Sequence, residues 1–309
     1  MTGGSRRAHF CDRLAALVEE RRSRVVLGLD PDPAALWPEA LERVRGADDG
    51  GRLARAHTAE AVLAHCRAAI VAAGPACVAV KLQLACFERL GAPGWEALEQ
   101  AVAIARDHRL LVIADGKRGD VPVTARAYGQ ALVGETPGPF GPVAGLGVDA
   151  FTANPLLGPD ALAPMVDAAA SAGAGCFVLV RTSNPGAAEF QDAGEPPLHE
   201  RLAALVDGLG AELVGDCGLS LVGAVTGATR PALLGRLREL MPRAVFLLPG
   251  IGAQGGRVED LAAAFAPHPA AGLVTASRSI VNAHEERGGE PAAAAAAAAE
   301  ELRAAAWAL

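Results

Sequence analysis

The chain has almost no lysine. Only Lys81 and Lys117 carry ammonium groups among its 28 basic residues; the rest are arginine. It also lacks a basic excess. With 35 acidic residues the formal charge is −7, which argues against a nucleic-acid surface, since that needs a basic stripe. No membrane-spanning helix of roughly 20 residues is expected. The longest uncharged run, Leu261 to Ser277, is interrupted by Pro267, His268 and Pro269. The opening residues, MTGGSRRAHFCDRL, carry no apolar stretch behind their arginines, so no secretory signal is expected. The cysteines (Cys11, Cys66, Cys77, Cys86, Cys176 and Cys217) show no CxxC spacing and sit mostly in apolar context. That disfavours a disulfide or zinc framework and reads as buried thiols in a cytoplasmic protein. What the chain does have is apolar surface: 51% of its 309 residues are hydrophobic, enough for a large core. α/β barrels of this length are routinely single domains.

Short apolar, β-branched runs recur along the chain: Val25–Asp30, Cys77–Leu82, Leu110–Asp115, Val148–Ala153, Cys176–Thr182, Leu221–Thr226, Val245–Pro249 and Gly272–Ala276. Near-continuous hydrophobic runs are expected of parallel strands buried on both faces. Helical patterns separate them, among them Gly94–Arg106, Pro159–Ala172, His199–Leu213, Arg230–Leu240 and Arg257–Phe265. Eight strand–helix units predict an α/β protein, a single (β/α)8 TIM barrel spanning residues 1–309. A doubly wound open sheet is the alternative, but the first βα turn, Leu29-Asp30-Pro31-Asp32-Pro33, has no GxGxxG. The Pro/Gly-rich stretch Gly134–Gly147 is expected to be a surface loop, and residues 184–197 a second long loop, either a lid or a solvated connection. The alanine-rich residues 292–309 should form a closing helix anchored by Trp307.

The third predicted strand ends in Ile113-Ala114-Asp115-Gly116-Lys117-Arg118-Gly119-Asp120. Alternation along an extended segment would put Asp115 and Lys117 on one side, with Asp120 where the chain turns over the barrel mouth. Carboxylates bracketing an ammonium keep it charged and aimed. Lys81 falls at the end of the second predicted strand. Both lysines therefore sit at C-terminal strand ends, where barrels keep their catalytic groups. The plain alternative is a structural ion-pair cluster, but arginine would serve that purpose at least as well. A second signal is Leu248-Pro249-Gly250-Ile251-Gly252-Ala253-Gln254-Gly255-Gly256 after the seventh strand, followed by Ala276-Ser277-Arg278 after the eighth. Glycines expose backbone N–H groups to an anion, and an arginine adds a fork. Together they read as a phosphate site in the place barrels commonly have one.

These segments resemble a known family. Asp115-Gly116-Lys117-Arg118-Gly119-Asp120 resembles the D-x-K-x-x-D signature of the orotidine 5′-phosphate decarboxylases. Gly28-Leu29-Asp30-Pro31 and Lys81-Leu82-Gln83-Leu84-Ala85-Cys86-Phe87-Glu88 resemble that family's first- and second-strand motifs. Asn154-Pro155, Thr182-Ser183-Asn184-Pro185-Gly186, Gly223-Ala224-Val225-Thr226-Gly227-Ala228-Thr229, the glycine-rich turn and Arg278 resemble later segments of its bacterial type 2 branch. The match spans nearly the whole chain, apart from the Gly134–Gly147 excursion and the alanine-rich tail.

The resemblance implies decarboxylation of orotidine 5′-phosphate to UMP, with no cofactor and no metal, in a homodimer whose sites lie at the subunit interface. It implies that Lys117 protonates C6 of the pyrimidine, held by Asp115 and by Asp120 of the partner subunit. Lys81 would complete the charge array and Asp30 would bind ribose. Thr124 would reach the substrate across the interface, Ser183 would contact the pyrimidine edge, and Gln254 would bridge ring and phosphate. Gly252 and Arg278 would hold the phosphate, and Gln191 is a further candidate. Three rival readings stand beside it. Magnesium-dependent sugar-phosphate lyases or synthases of the same superfamily also resemble D-x-K-x-x-D, but they carry a metal-binding glutamate where this chain has Lys81. A non-catalytic phosphate-ligand binding barrel would have no use for the proton donor. A Schiff-base aldolase would need its lysine neutral rather than flanked by aspartates.

Overall fold

The computed structural model describes residues 7–42, 44, 51–252 and 254–309. Its framework is eight parallel strands: β1 (Val25–Leu29), β2 (Ala79–Gln83), β3 (Leu111–Arg118), β4 (Ala150–Ala153), β5 (Gly175–Arg181), β6 (Ser220–Thr226), β7 (Ala244–Leu248) and β8 (Gly272–Ala276). Each pairs with the next, and β8 returns to β1 with Thr275 opposite Val26. β1 is thus hydrogen-bonded on both edges, which closes the barrel and excludes the open sheet.

Both strand faces are buried, which is why period-two alternation is invisible in the sequence. Val26, Ile113, Phe177, Val245, Leu247 and Leu273 fill the barrel interior. Val25, Leu27, Val80, Val112, Val178 and Val274 pack outward against the helices. The helix Phe10–Arg21 plugs the N-terminal end. Its Phe10, Leu14 and Val18 join the interior cluster, with the Phe10 ring edge-on to Phe177 at 5.9 Å. Arg7 and Arg13 fasten this end by pairing with Asp149, just ahead of β4. The mouth at the C-terminal strand ends stays open.

Outside the barrel, Pro159–Ala172 forms as expected, and Ala92–Asp107 and Leu198–Gly210 differ from expectation only at their ends. The expected Arg230–Leu240 helix begins instead with a 3-10 turn, Pro231–Leu233, and Val258–Phe265 is 3-10 throughout. The longest described helix, Gly51–Ala73, is not anticipated: its inward stripe of Val62, Cys66, Ala69, Ile70 and Ala73 is too rich in small residues to stand out. The Gly134–Gly147 excursion is more than a loop. Glu135–Thr136 and Val143–Ala144 pair antiparallel. The C-terminal helix, Pro291–Trp307, lays Ala295, Ala299 and Ala306 against the core. Trp307 anchors it beneath the Arg24 guanidinium, 5.2 Å from the ring centre.

Candidate active site

A cavity of about 490 Å³ opens at the C-terminal ends of the strands, within the usual range for small-ligand sites. Asp115, at the mouth end of β3, is its electrostatic centre. One carboxylate oxygen accepts from the Lys81 ammonium at 2.7 Å, and the other from the Lys117 ammonium at 2.6 Å. Lys81 lies opposite Ile113 and Gln83 opposite Asp115 in the β2–β3 register. The lysine therefore starts one layer deeper, and its stem spans the step to Asp115. Asp30, after β1, stands 3.6 Å from the Lys81 ammonium on its other side. Burial alone would raise the Asp115 carboxyl, but the two ammonium groups outweigh it and hold the acid well below the ordinary carboxylate range. Burial opposes the charge on Lys81 as well; Asp115 and Asp30 prevail and raise it.

Lys117 and Asp115 meet as expected, but strand alternation is not what brings them together. Ala114 pairs with Phe151 and Arg118 with Ala153, so three residues of β3 face the single Thr152 of β4. The bulge is completed by Lys117 in the left-handed conformation, φ 47°, a cost of about 1–3 kcal/mol for a residue other than glycine. Two bonds through Thr152 brace it. The Lys117 amide donates to the Thr152 hydroxyl at 2.8 Å, and that hydroxyl donates to Asp115 at 2.9 Å. Arg118, the next residue, pairs outward with Glu88.

Opposite this cluster lie Ser183, Gln254 and Arg278, all lining the same cavity. The turn that carries Gln254 folds on itself: Gly252 N–H donates to Gly256 O at 3.0 Å and Gly255 N–H to Gly252 O at 2.8 Å. Gly250 has φ 104°, and a Cβ there would sit 3.2 Å from Ser183. Gly28 leaves room for the Ser277 side chain: a Cβ there would fall 1.9 Å from the Ser277 hydroxyl and displace it. Ala253 lies outside the described residues.

The loop after β5 is anchored at its base. The buried Arg181 guanidinium makes a bidentate pair with Asp192, at 2.8 and 3.0 Å. Those bonds hold the Asp192 carboxyl below its ordinary value. His199 Nδ1 lies 2.8 Å from the Gln191 carbonyl and 3.2 Å from Asp192, an arrangement that places the proton on Nδ1. Between them, Gln191 turns into the cavity and accepts the Thr182 N–H at 2.7 Å. The segment 187–191 is a short helix.

Asp30, Lys81, Asp115, Lys117, Ser183, Gln191, Gln254 and Arg278 thus come together at one cavity. Three expected residues do not line it. Gly252 is in the turn but faces Ser279. Thr124 lies in the first turn of the helix Pro122–Leu132. Among the described residues Asp120 makes no ion pair with Lys117, so within one chain a single carboxylate, not two, flanks that ammonium; Asp120 accepts the N–H of Val121 at 2.7 Å. Gln83, Thr152 and Thr275, which sequence reasoning missed, also line the cavity. A signal was available for them: each is polar within a run otherwise nearly all apolar, close to the C-terminal end of its strand. Among the described residues no group of three or more His, Cys, Asp or Glu side chains could hold a metal ion.

A closed parallel barrel that gathers lysines and carboxylates at the C-terminal ends of its strands defines a class, the (β/α)8-barrel enzymes. Comparison with known proteins narrows it. The model of the orotidine 5′-phosphate decarboxylase / HUMPS family matches residues 23–297, and the chain belongs to that family. A protein named orotidine 5′-phosphate decarboxylase from Deinococcus radiodurans is 40% identical over 297 residues, covering 96% of this chain and 97% of that protein. One of the same name from Caldicellulosiruptor bescii is 35% identical, over 90% of each chain. The structure of Leishmania donovani OMP decarboxylase superposes with a TM-score of 0.70 at 29% identity, covering 97% of this chain and 100% of that one.

Proposed function

We propose that this chain decarboxylates orotidine 5′-phosphate to UMP and CO2, the last step of de novo pyrimidine nucleotide synthesis. The observation that carries the reading is Asp115 clamped between the only two lysines of the chain, inside a cavity whose far side offers Ser183, Gln254 and Arg278. In the reaction the bond from C6 to the carboxylate breaks, CO2 leaves, and the electron pair stays on C6. Lys117 then gives a proton from its ammonium to that carbon. The pyrimidine has no electron sink for the pair, so fixed positive charge must stabilise it as it forms. Lys81, Lys117, Asp115 and Asp120 sum to zero charge, and the substrate carboxylate adds a negative charge beside Asp115. The repulsion raises the ground state, while the ammonium meets the developing carbanion; the second effect carries more weight. Asp30 binds ribose, Ser183 the pyrimidine edge, and Gln254 ring and phosphate together. Gly252 and Arg278 hold the phosphate, far from C6, and that remote binding organises the reacting groups.

We also propose that the working unit is a cytoplasmic homodimer, each chain one catalytic barrel domain, with Asp120 and Thr124 completing the site of the other subunit. The absence of an Asp120–Lys117 ion pair among the described residues supports this, as do the exposed Val121 and Val123 after β3 and Leu156 and Leu157 after β4. The sugar-phosphate branch is disfavoured because the Lys81 ammonium already occupies the space between Asp30 and Asp115. A spectrophotometric assay with orotidine 5′-phosphate in excess chelator tests the assignment. Turnover should persist. Its abolition, with rescue by magnesium, would move the chain to the metal-dependent branch.

A further inference from the structure

We infer that Thr152 is a positioning residue for the reacting ammonium, acting through both the backbone and the carboxylate partner of Lys117. The inference rests on the decarboxylase reading for its kinetic consequences, but its structural content is independent of it. Along β3 the odd-numbered residues face β2, Leu111 donating to the Val78 carbonyl, so in a regular strand the Lys117 N–H would point to the β2 side. The three-for-one bulge opposite Thr152 turns it toward β4 instead, where it needs an acceptor outside the regular ladder. The Thr152 hydroxyl accepts it at 2.8 Å and passes its own hydrogen to Asp115 at 2.9 Å. Asp115 in turn accepts the Lys117 ammonium at 2.6 Å. The loop of contacts starts and ends on one residue: main chain of Lys117, hydroxyl, carboxylate, ammonium of Lys117. Both ends of that side chain are thus referred to a single hydroxyl, itself 1% exposed on a four-residue strand. Such a reference point is needed because φ at Lys117 is 47°, a conformation that lysine has no intrinsic preference to hold. A hydroxyl suits the place because it accepts and donates at once; valine has the same shape and does neither.

Thr152→Val should lower kcat by about 10- to 100-fold, the scale expected when a reacting group is misplaced by about 1 Å. KM and the affinity for UMP should stay within about threefold of wild type, because the groups proposed to bind ribose and phosphate are untouched. Thr152→Ser, which keeps the hydroxyl and loses only a methyl, should restore most of kcat. The Lys117 amide, read by hydrogen exchange, should exchange at least about tenfold faster in the valine variant and near the wild-type rate in the serine variant. Should the valine variant not fold, Thr152→Ala against Thr152→Ser gives the same comparison. Wild-type kcat in the variant lacking the hydroxyl would overturn the inference. So would a parallel loss of kcat, UMP affinity and melting temperature that serine does not rescue, which would make Thr152 a packing residue only. If the wild-type protein does not turn over orotidine 5′-phosphate, the decarboxylase reading fails instead; the exchange rate of the Lys117 amide then still decides the role of Thr152.

Discussion

Arginine and lysine divide the work of this protein by what each cation can do. Buried arginines serve the framework. Arg238 donates to the carbonyls of Met241, Ala244, Ala264 and Ala271 while lying 3.8 Å over the Phe246 ring. Burial pushes its guanidinium down to about 10, still charged at neutral pH. Arg181 clamps Asp192 with the same planar fork. A compact ammonium can do neither as well, and the two lysines are found only around Asp115, where a point charge and a transferable proton are wanted. Lys117→Arg should therefore keep the charge and lose turnover by a factor of about 10³, within the range for removing a general acid. Lys81→Arg should be damaging but less so, since Lys81 is not the proton donor. Steady-state kcat on the two variants checks both; a Lys117→Arg protein with most of the wild-type rate would mean that the cluster is structural.

At the scale of elements, the loop after β5 was open to two readings, and the fold favours neither a free lid nor a solvated connection over the segment 181–192. The Arg181–Asp192 pair fixes its two ends, and Gln191 bonds back to Thr182 within it. Asp192→Asn would leave the Arg181 guanidinium buried with a neutral partner, at a cost of about 2 kcal/mol. The expected outcome is a lower melting temperature and a KM raised severalfold with kcat nearly unchanged, because Gln191 and Ser183 lose their placement while Lys117 and Asp115 keep theirs. A fall in kcat at constant KM would instead tie this loop to the chemical step. The strands themselves were legible because each is a short apolar run bounded by turn residues. The bulge in β3 was not, since three residues facing one is a property of the pairing between β3 and β4, and no pattern within either strand records it.

For the whole molecule the outstanding quantity is how many chains make a site. If Asp120 serves the Lys117 of the other subunit, Lys117→Ala and Asp120→Ala homodimers should each be nearly inactive. Random subunit exchange makes about half of the dimers mixed, each with one doubly altered site and one intact site, so activity should recover to roughly a quarter of wild type. Action within one chain predicts no recovery, because every site then keeps a lesion. Mass spectrometry of the mixture shows whether exchange took place, so the absence of recovery would count against the shared site.

Strand positions, barrel class and the identity of the charged residues were all determined by the sequence alone, because each depends on local composition and order. Apolar runs at strand length specify buried parallel strands, and a two-lysine chain points to its own reactive groups. Only the tertiary structure decided how those groups meet. The layer step between Lys81 and Asp115, the left-handed turn at Lys117 and the Thr152 hydroxyl bonded to its amide all depend on register between strands far apart in the chain. Register is set by closure of the whole barrel, where each strand must satisfy two neighbours at once, and so it cannot be read from any one segment.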